Sequence, residues 1–262
     1  MKAGNLLTWL ACAFASLILT VSCATSPAPS DAPVELTLSS AIALTEPLQA
    51  IKPIYEEEHP NTTITYNFGA SGELRQQIGS GAPVDVFISA AQKDMDELEK
   101  ANLLAANTRH NLVKNQIVLA VPSDSSKINS LQDLTQADVT RIAIGNPDTV
   151  PIGRYSEEIF KNLGLSEQVQ PKLILGKNVR QVLGYVEAGN VDAALVWVTD
   201  AKTTDKVKIV ETIPENLHSP AIHPIAVIAA STHPKEAEDY VQFLLSDQSK
   251  SIFEQYGFTP VS

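Results

Sequence analysis

The sequence predicts an α/β protein with two lobes and mainly parallel sheets. Short runs rich in β-branched and aromatic residues alternate with helix-like segments, which favours repeated strand–helix–strand units. Two apolar, β-prone segments, 115–122 and 219–230, bracket a central block of ordinary domain size. They indicate two crossovers between lobes and therefore a two-segment hinge. The alternative is a single continuous α/β domain.

The elements follow from local patterns along the chain. Strands are expected where β-rich runs are bounded by turn residues, at 35–39, 63–68, 84–89, 116–121, 141–144, 172–175, 193–198, 207–210 and 225–229. Helices are expected where apolar residues repeat at helical spacing, at 46–58, 72–80, 91–100, 154–163, 179–188, 234–245 and 248–256. Pro53 lies inside the first of these helices, where proline removes a backbone hydrogen bond, and predicts a kink or break.

Residues 1–22 have the form of a secretory signal peptide. Lys2 precedes an apolar stretch, 6–21, that is too short and too poorly flanked for a membrane-spanning helix. The stretch ends in Leu-Thr-Val-Ser-Cys, similar to a bacterial lipoprotein processing site, and makes Cys23 the expected lipidation site. Residues 23–33 are rich in Pro, Ser and Ala and are expected to form a flexible, lipid-anchored tether. The alternative is ordinary cleavage and a free periplasmic protein.

Cysteine content and charge exclude several classes of function. Cys12 and Cys23 are the only cysteines, so a chain without its signal has no disulfide, zinc cluster or cysteine nucleophile. The net charge of −11 disfavours nucleic acid and anionic membrane surfaces as partners, leaving membrane contact to the lipid anchor. An anion site on such a chain must rely on local neutral donors.

The turn Gly-Ala-Ser-Gly at 69–72 is the first candidate for such a site. It follows a β-rich run and opens a helix, with Ser71 at the expected N-cap. The Ser71 hydroxyl and the N–H groups that follow it would face an anion at the positive end of the helix dipole. A nucleotide is not indicated, because a Walker lysine and a G-x-G-x-x-G pattern are both missing. The alternative is an ordinary strand–turn–helix connection.

Six motifs in collinear order make the chain similar to a known family. They are Gly-Ala-Ser-Gly at 69–72, Gly-Ala-Pro-Val-Asp-Val-Phe-Ile-Ser-Ala at 81–90, Gly-Asn-Pro-Asp-Thr-Val-Pro-Ile-Gly-Arg-Tyr at 145–155, Asn-Val-Arg-Gln-Val-Leu at 178–183, Ala-Leu-Val-Trp-Val-Thr-Asp-Ala at 194–201 and Ile-Phe-Glu-Gln-Tyr-Gly-Phe at 252–258. Over about 35–258 the sequence resembles the molybdate-binding proteins of bacterial ABC importers, within the class II periplasmic binding protein superfamily.

The resemblance implies a type II periplasmic binding protein fold with two lobes and an oxyanion pocket between them. Residues 34–115 with 225–262 would form lobe 1, and 116–224 lobe 2. The pocket would be lined by Ala43, Ser71, Ile152, Val179 and Trp197, with Ile152 and Val179 contributing backbone groups. Most of these points follow an expected strand or open an expected helix, which is where open α/β sheets bind ligands. The alternatives are capping roles at the helix starts and a packing role for Trp197.

Two positions depart from the family pattern. The family usually has serine where this chain has Ala43 and tyrosine where it has Trp197. Ser39 or Ser40 could supply the missing hydroxyl. An indole N–H can only donate, which suits a fully deprotonated oxyanion. Arg154 and Lys177 flank the expected pocket and are interpreted as solvated charges at helix ends.

The predicted function is therefore capture of molybdate, or tungstate, and its delivery to the permease and ATPase of an ABC importer. The metal would be held through its oxygens without direct metal ligands, and we expect no cofactor, no catalysis and a monomer on the periplasmic face of the cell membrane. The alternatives are another tetrahedral oxyanion such as sulfate or thiosulfate, an oxyanion sensor, and an enzyme on the same scaffold.

Overall fold

The computed structural model describes residues 33–261, which fold around two β-sheets. The predicted signal peptide, Cys23 and the tether up to residue 32 lie outside the described residues. The strands of the described region, in chain order, are β1 (Val34–Ala41), β2 (Thr62–Gly69), β3 (Val86–Ile88), β4 (His110–Lys114), β5 (Ile117–Pro122), β6 (Ile142–Gly145), β7 (Leu173–Gly176), β8 (Ala193–Trp197), β9 (Val207–Thr212), β10 (Ile222–Val227) and β11 (Thr259–Pro260).

Helices connect most of these strands and cover the sheets. In chain order they are α1 (Thr45–Glu58), α2 (Ser71–Gly79), α3 (Gln92–Lys100), α4 (Pro151–Asn162), α5 (Ser166–Val169), α6 (Val179–Glu187), α7 (Val198–Ala201), α8 (Pro234–Leu244) and α9 (Asp247–Gln255). Short 3-10 turns occur at Ile42–Leu44, Leu131–Thr135, Gln170–Lys172 and Glu215–Leu217.

The two sheets confirm the predicted α/β class, but each sheet is mixed. The six-stranded sheet has the order β11-β4-β10-β3-β1-β2, and the five-stranded sheet has the order β7-β6-β8-β5-β9. Pairing is parallel for β1 with β2 and β3 and for β6 with β7 and β8. It is antiparallel wherever β4, β5 or β10 takes part. The prediction of mainly parallel sheets was therefore wrong, because the strands next to the crossings run back against their neighbours.

The chain passes between the sheets twice. It leaves the six-stranded sheet after Lys114, enters the five-stranded sheet at Ile117, and returns between Thr212 and Ile222. Helices α1, α2, α3, α8 and α9 pack with the six-stranded sheet, α4, α6 and α7 pack with the five-stranded sheet, and α5 packs against α4. We call these two groups the six-stranded half and the five-stranded half. The lobe boundaries at 115/116 and 224/225 stay a prediction.

Helix α1 passes through Pro53 without a break. The proline removes the hydrogen bond that its N–H would donate to the carbonyl of Gln49. Both residues are exposed on the solvent side of the helix, so water can satisfy that carbonyl. The opposite side, with Leu48, Ile51 and Tyr55, is buried. Packing of this face therefore outweighs the local penalty, and the expected break was wrong.

The ends of the inner strands determine where the helices begin. All five residues of β8 are buried, as are the last four of β1, so these strands run through the core rather than along an edge. β1 ends at Ala41 directly before the 3-10 turn that precedes α1, and β2 ends two residues before α2. β8 ends at Trp197, immediately before α7. The carboxyl ends of strands in both sheets thus lead into helix starts.

Candidate functional site

Helix starts from both halves surround one small cavity. Its volume is about 10 Å³. Its lining contains all five residues that the family resemblance implied: Ala43, Ser71, Ile152, Val179 and Trp197. Apart from Ser71 and Trp197, the lining side chains are aliphatic or absent. Polar contacts inside the cavity must therefore come mainly from the backbone.

Ser71 carries the lining's hydroxyl group and is almost fully buried. It is the first residue of α2, and Ala70 is the N-cap, without a side-chain capping bond. The expected N-cap role of Ser71 was therefore wrong. Instead, its Oγ accepts a hydrogen bond of 2.9 Å from the Ala90 N–H. This contact fixes the oxygen and leaves the hydroxyl proton for another acceptor.

Three backbone N–H groups of the lining occupy the first turns of helices. Ser71 and Val179 are the first residues of α2 and α6, and Ile152 is the second residue of α4. The N–H groups at such positions have no acceptor within the helix. Within residues 33–261 none of the three donates to another backbone carbonyl. Together with the positive helix ends, they favour an anion in the cavity.

Gly72 brings the two halves into backbone contact beside the cavity. Its N–H donates to the Thr149 carbonyl at 2.9 Å, so this N–H is not free for an anion. A Cβ at this position would lie 2.6 Å from the Thr149 oxygen and 2.7 Å from its Cα. A side chain on residue 72 therefore cannot fit while this contact is made. The expectation that all N–H groups after Ser71 face the ligand was wrong for Gly72.

Trp197 forms part of the cavity wall and also packs into the interior. Its exposed fraction is 1%. The indole meets Tyr155 edge-on at 5.6 Å between ring centroids and His223 at 5.4 Å. Burial lowers the pKa of His223 to about 3, so this imidazole is neutral near pH 7. Trp197 thus both lines the cavity and packs into the interior, although these two roles were expected to be alternatives.

Ser39 and Ser40 are buried but do not belong to the cavity lining. The Ser39 Oγ accepts a hydrogen bond from the Asn67 amide at 3.4 Å, and the Ser40 hydroxyl donates to the Ala41 carbonyl at 3.4 Å. The structure therefore does not bring either hydroxyl to the position next to Ala43. The polar groups that remain next to Ala43 are the backbone groups of the 3-10 turn Ile42–Leu44.

Charged side chains do not line the cavity. Lys177 is exposed, as expected. Arg154 was expected to be solvated, but its side chain is only 13% exposed and pairs with the buried Asp94. Burial raises the pKa of Asp94, and Arg154 opposes that effect. No local pattern predicts this pair, because the partners are 60 residues apart.

A second buried acid, Asp200, lies in α7 just after Trp197. Its side chain is fully buried, and its Oδ1 is 2.8 Å from the Nε of Arg180. Burial raises the pKa of Asp200 to about 7, and the nearby Arg180 opposes this effect. Neither residue was singled out in the sequence, although both fall within the motifs at 178–183 and 194–201.

The fold and the cavity together define a class of protein. Two α/β halves joined by two chain crossings enclose a cavity lined by helix starts, which is the arrangement of a protein that binds a small anion. Residues 36–259 match the model of the family described as bacterial extracellular solute-binding protein. The chain belongs to this family.

Individual relatives agree with the family. The lipoprotein YvgL of Bacillus subtilis, provisionally named as an ABC transporter substrate-binding protein, is 38% identical over 94% of this chain and 95% of its own. The molybdate-binding protein ModA of Escherichia coli is 32% identical over 86% of this chain and 89% of its own. Among solved structures, the substrate-binding domain of a provisionally named molybdenum ABC transporter from Clostridium difficile is 41% identical. It covers 87% of this chain and all of its own, with a TM-score of 0.70.

Residues 33–261 contain no helix with both the length and the apolar character needed to cross a membrane.

Proposed function

We propose that this protein captures molybdate, or tungstate, outside the cytoplasm and delivers it to the permease of an ABC importer. The observation that carries the proposal is the composition of the cavity, whose lining presents helix-start N–H groups and one hydroxyl and has no charged side chain. The names of the relatives that bind molybdate support the choice of ion. They also support the importer's permease and ATPase as partners.

The donors of the cavity suit an ion that needs hydrogen bonds and has no proton to give. Molybdate and tungstate are unprotonated dianions near neutral pH, whereas hydrogen phosphate carries a proton that needs an acceptor. The indole N–H of Trp197 is a donor only. The Ser71 Oγ already accepts one bond from Ala90. Hydrogen phosphate is therefore a poor fit among these side chains.

Sulfate and thiosulfate are the second candidates, because sulfate has the same charge and tetrahedral shape as molybdate. Hydrogen-bond donors alone cannot separate sulfate from molybdate. The distinction must come from the size of the cavity in the closed protein, since molybdate and tungstate are the larger ions. We propose that the walls of the closed cavity fit the larger ion. Every lining donor can then form a hydrogen bond to that ion at the same time.

The remaining parts of the proposal follow from the N-terminal sequence and the class of protein. We propose that Cys23 is lipidated, that the tether holds a monomer near the permease on the periplasmic face of the membrane, and that no resident cofactor is needed. A sensor that signals to a receptor would use the same cavity. Loss of molybdate uptake on deletion of the protein from its host supports transport, and normal uptake contradicts it.

Calorimetric titration tests the choice of ion directly. At one pH and salt concentration we expect molybdate and tungstate to bind with comparable affinity at one ion per protein. Sulfate should bind more weakly and phosphate hardly at all. Phosphate binding as tight as molybdate binding contradicts the donor-based argument. Sulfate binding tighter than molybdate binding supports the second candidate instead.

Trp197 should report binding through its fluorescence. The other tryptophan of the sequence, Trp9, belongs to the predicted signal peptide. Molybdate should therefore shift the emission of a chain without its signal, saturating at one ion, while chloride has no effect. Trp197→Phe keeps an aromatic ring but loses the N–H, at a cost of about 1–3 kcal/mol in binding. Unchanged emission during binding seen by calorimetry places the indole away from the ion.

A further inference from the structure

Two clusters of charged residues lie outside the cavity lining, and each joins three helices that begin at, or within two residues of, a lining residue. The Arg180 cluster consists of Glu46, Arg180 and Asp200, with Arg180 paired to both acids. Glu46 is on α1, which follows the turn of Ala43, and the other two residues are on the helices that begin at or just after Val179 and Trp197.

The Arg154 cluster is centred on an acid. Asp94 pairs with both Arg75 and Arg154, and the distance to the Arg75 Nε is 3.4 Å. Arg75 also pairs with Glu97 at 2.6 Å. Arg75 is on α2, which begins at Ser71, and Arg154 is on α4, two residues after Ile152. Asp94 is on α3, just after Ala90, whose N–H fixes the Ser71 hydroxyl.

Each cluster crosses from one half of the protein to the other. Glu46 belongs to the six-stranded half, and its partner Arg180 to the five-stranded half. Asp94 likewise belongs to the six-stranded half and Arg154 to the five-stranded half. Each cluster contains one buried acid, with side chains 0% exposed at Asp200 and 2% at Asp94. Removing the partner of a buried charge is strongly destabilising, so the pair of Asp94 with Arg154 opposes separation of α3 from α4.

We propose that Arg180 and Arg154 are positioning residues that hold the helix starts of both halves around the bound anion. They act through the closed arrangement and do not contact the ion, since neither belongs to the cavity lining. The proposal rests on the function proposed above. Loss of either crossing pair opens the protein more easily and weakens capture of the ion.

Substitution of Glu46 and Arg154 separates this role from a simple electrostatic effect. Glu46→Gln removes a negative charge, which by the electric field alone would tighten binding of an anion. Arg154→Gln removes a positive charge, which by the field alone would weaken it. Under the proposal both variants weaken molybdate binding. The loss should be about three- to fivefold for Glu46→Gln, whose ion pair is partly exposed, and larger for Arg154→Gln, which leaves the buried Asp94 without its main partner.

Matched controls carry the same charge changes on the same helices. Glu57→Gln on α1 and Lys161→Gln on α4 alter exposed residues outside both clusters. We expect them to bind molybdate within twofold of the unmodified protein in calorimetry. Tighter binding by Glu46→Gln, together with weaker binding by Arg154→Gln, shows that the clusters act through charge alone and overturns the proposal.

Small-angle X-ray scattering of the ligand-free proteins makes this inference independent of the ion's identity. Glu46→Gln and Arg154→Gln should have a larger radius of gyration than their controls. If this difference appears but the unmodified protein binds no oxyanion, the proposed function fails and the positioning role stands. If the unmodified protein binds molybdate but the variants match the controls in both measurements, the positioning role is wrong and the function stands.

Discussion

Gly72→Ala should weaken molybdate binding strongly while leaving the ligand-free protein at least as stable. The new Cβ would lie 2.6 Å from the Thr149 carbonyl oxygen, so the two halves could not meet at this point. The hydrogen bond between Gly72 and Thr149 would be lost as well. Overpacking of about 1–3 kcal/mol and a lost hydrogen bond of about 1 kcal/mol together correspond to roughly a thirtyfold to thousandfold loss of affinity.

The stability of the same variant should change in the opposite direction. Alanine is favoured over glycine within a helix by about 0.5–1 kcal/mol. The ligand-free protein can relieve the clash by opening, because residue 72 then moves away from Thr149. Thermal unfolding without ligand should therefore occur at the same temperature or slightly higher.

Gly79 provides the matched control for this experiment. It lies at the other end of α2, and a Cβ there would meet no atom within 4 Å. Gly79→Ala should leave molybdate affinity unchanged in calorimetry. If Gly72→Ala binds molybdate as tightly as Gly79→Ala, then contact between the halves at residue 72 is not needed for capture.

The fold class could be predicted because its signals are local. The alternation of β-rich and helix-like segments identified most elements, including the buried strand at 193–198. Strand β4 was missed because its sequence, His-Asn-Leu-Val-Lys, mixes polar and apolar residues and depends on its neighbours for pairing. Strand β11, with two residues, has no pattern of its own. Strand direction was also misjudged, since it depends on how the chain crosses between the sheets.

The lining residues of the cavity could be predicted, but not what holds them in place. Ser71, Ile152 and Val179 lie at strand ends and helix starts, which the sequence pattern and the family resemblance both indicate. The bond from Ala90 to Ser71 spans 19 residues, and the pair of Arg180 with Glu46 spans 134. Such contacts exist only after the two halves have come together, so no spacing in the sequence encodes them.

Ser71→Ala should cost both affinity and stability, in contrast to Gly72→Ala. Removing the hydroxyl removes a donor to a charged ligand, worth about 1.5–3 kcal/mol, which corresponds to roughly a tenfold to hundredfold loss of molybdate affinity. The Ala90 N–H also loses its acceptor in a buried position. An unsatisfied buried donor costs about 1–3 kcal/mol, so the free energy of unfolding should fall without ligand as well.

Ser40→Ala is the control that separates these two effects of Ser71→Ala. Ser40 is as deeply buried as Ser71, but its hydroxyl bonds to the Ala41 carbonyl and lies outside the cavity lining. Calorimetry should show unchanged molybdate affinity for Ser40→Ala. Urea unfolding of both ligand-free variants measures the stability term separately, because the ion is absent.

If Ser71→Ala is destabilised but binds molybdate like Ser40→Ala, the hydroxyl of Ser71 supports the Ala90 backbone and does not bind the ion. If Ser71→Ala binds molybdate more weakly than Ser40→Ala does, the Ser71 hydroxyl donates its proton to the ion. The contact with Ala90 leaves that proton available, because it uses the hydroxyl oxygen as an acceptor.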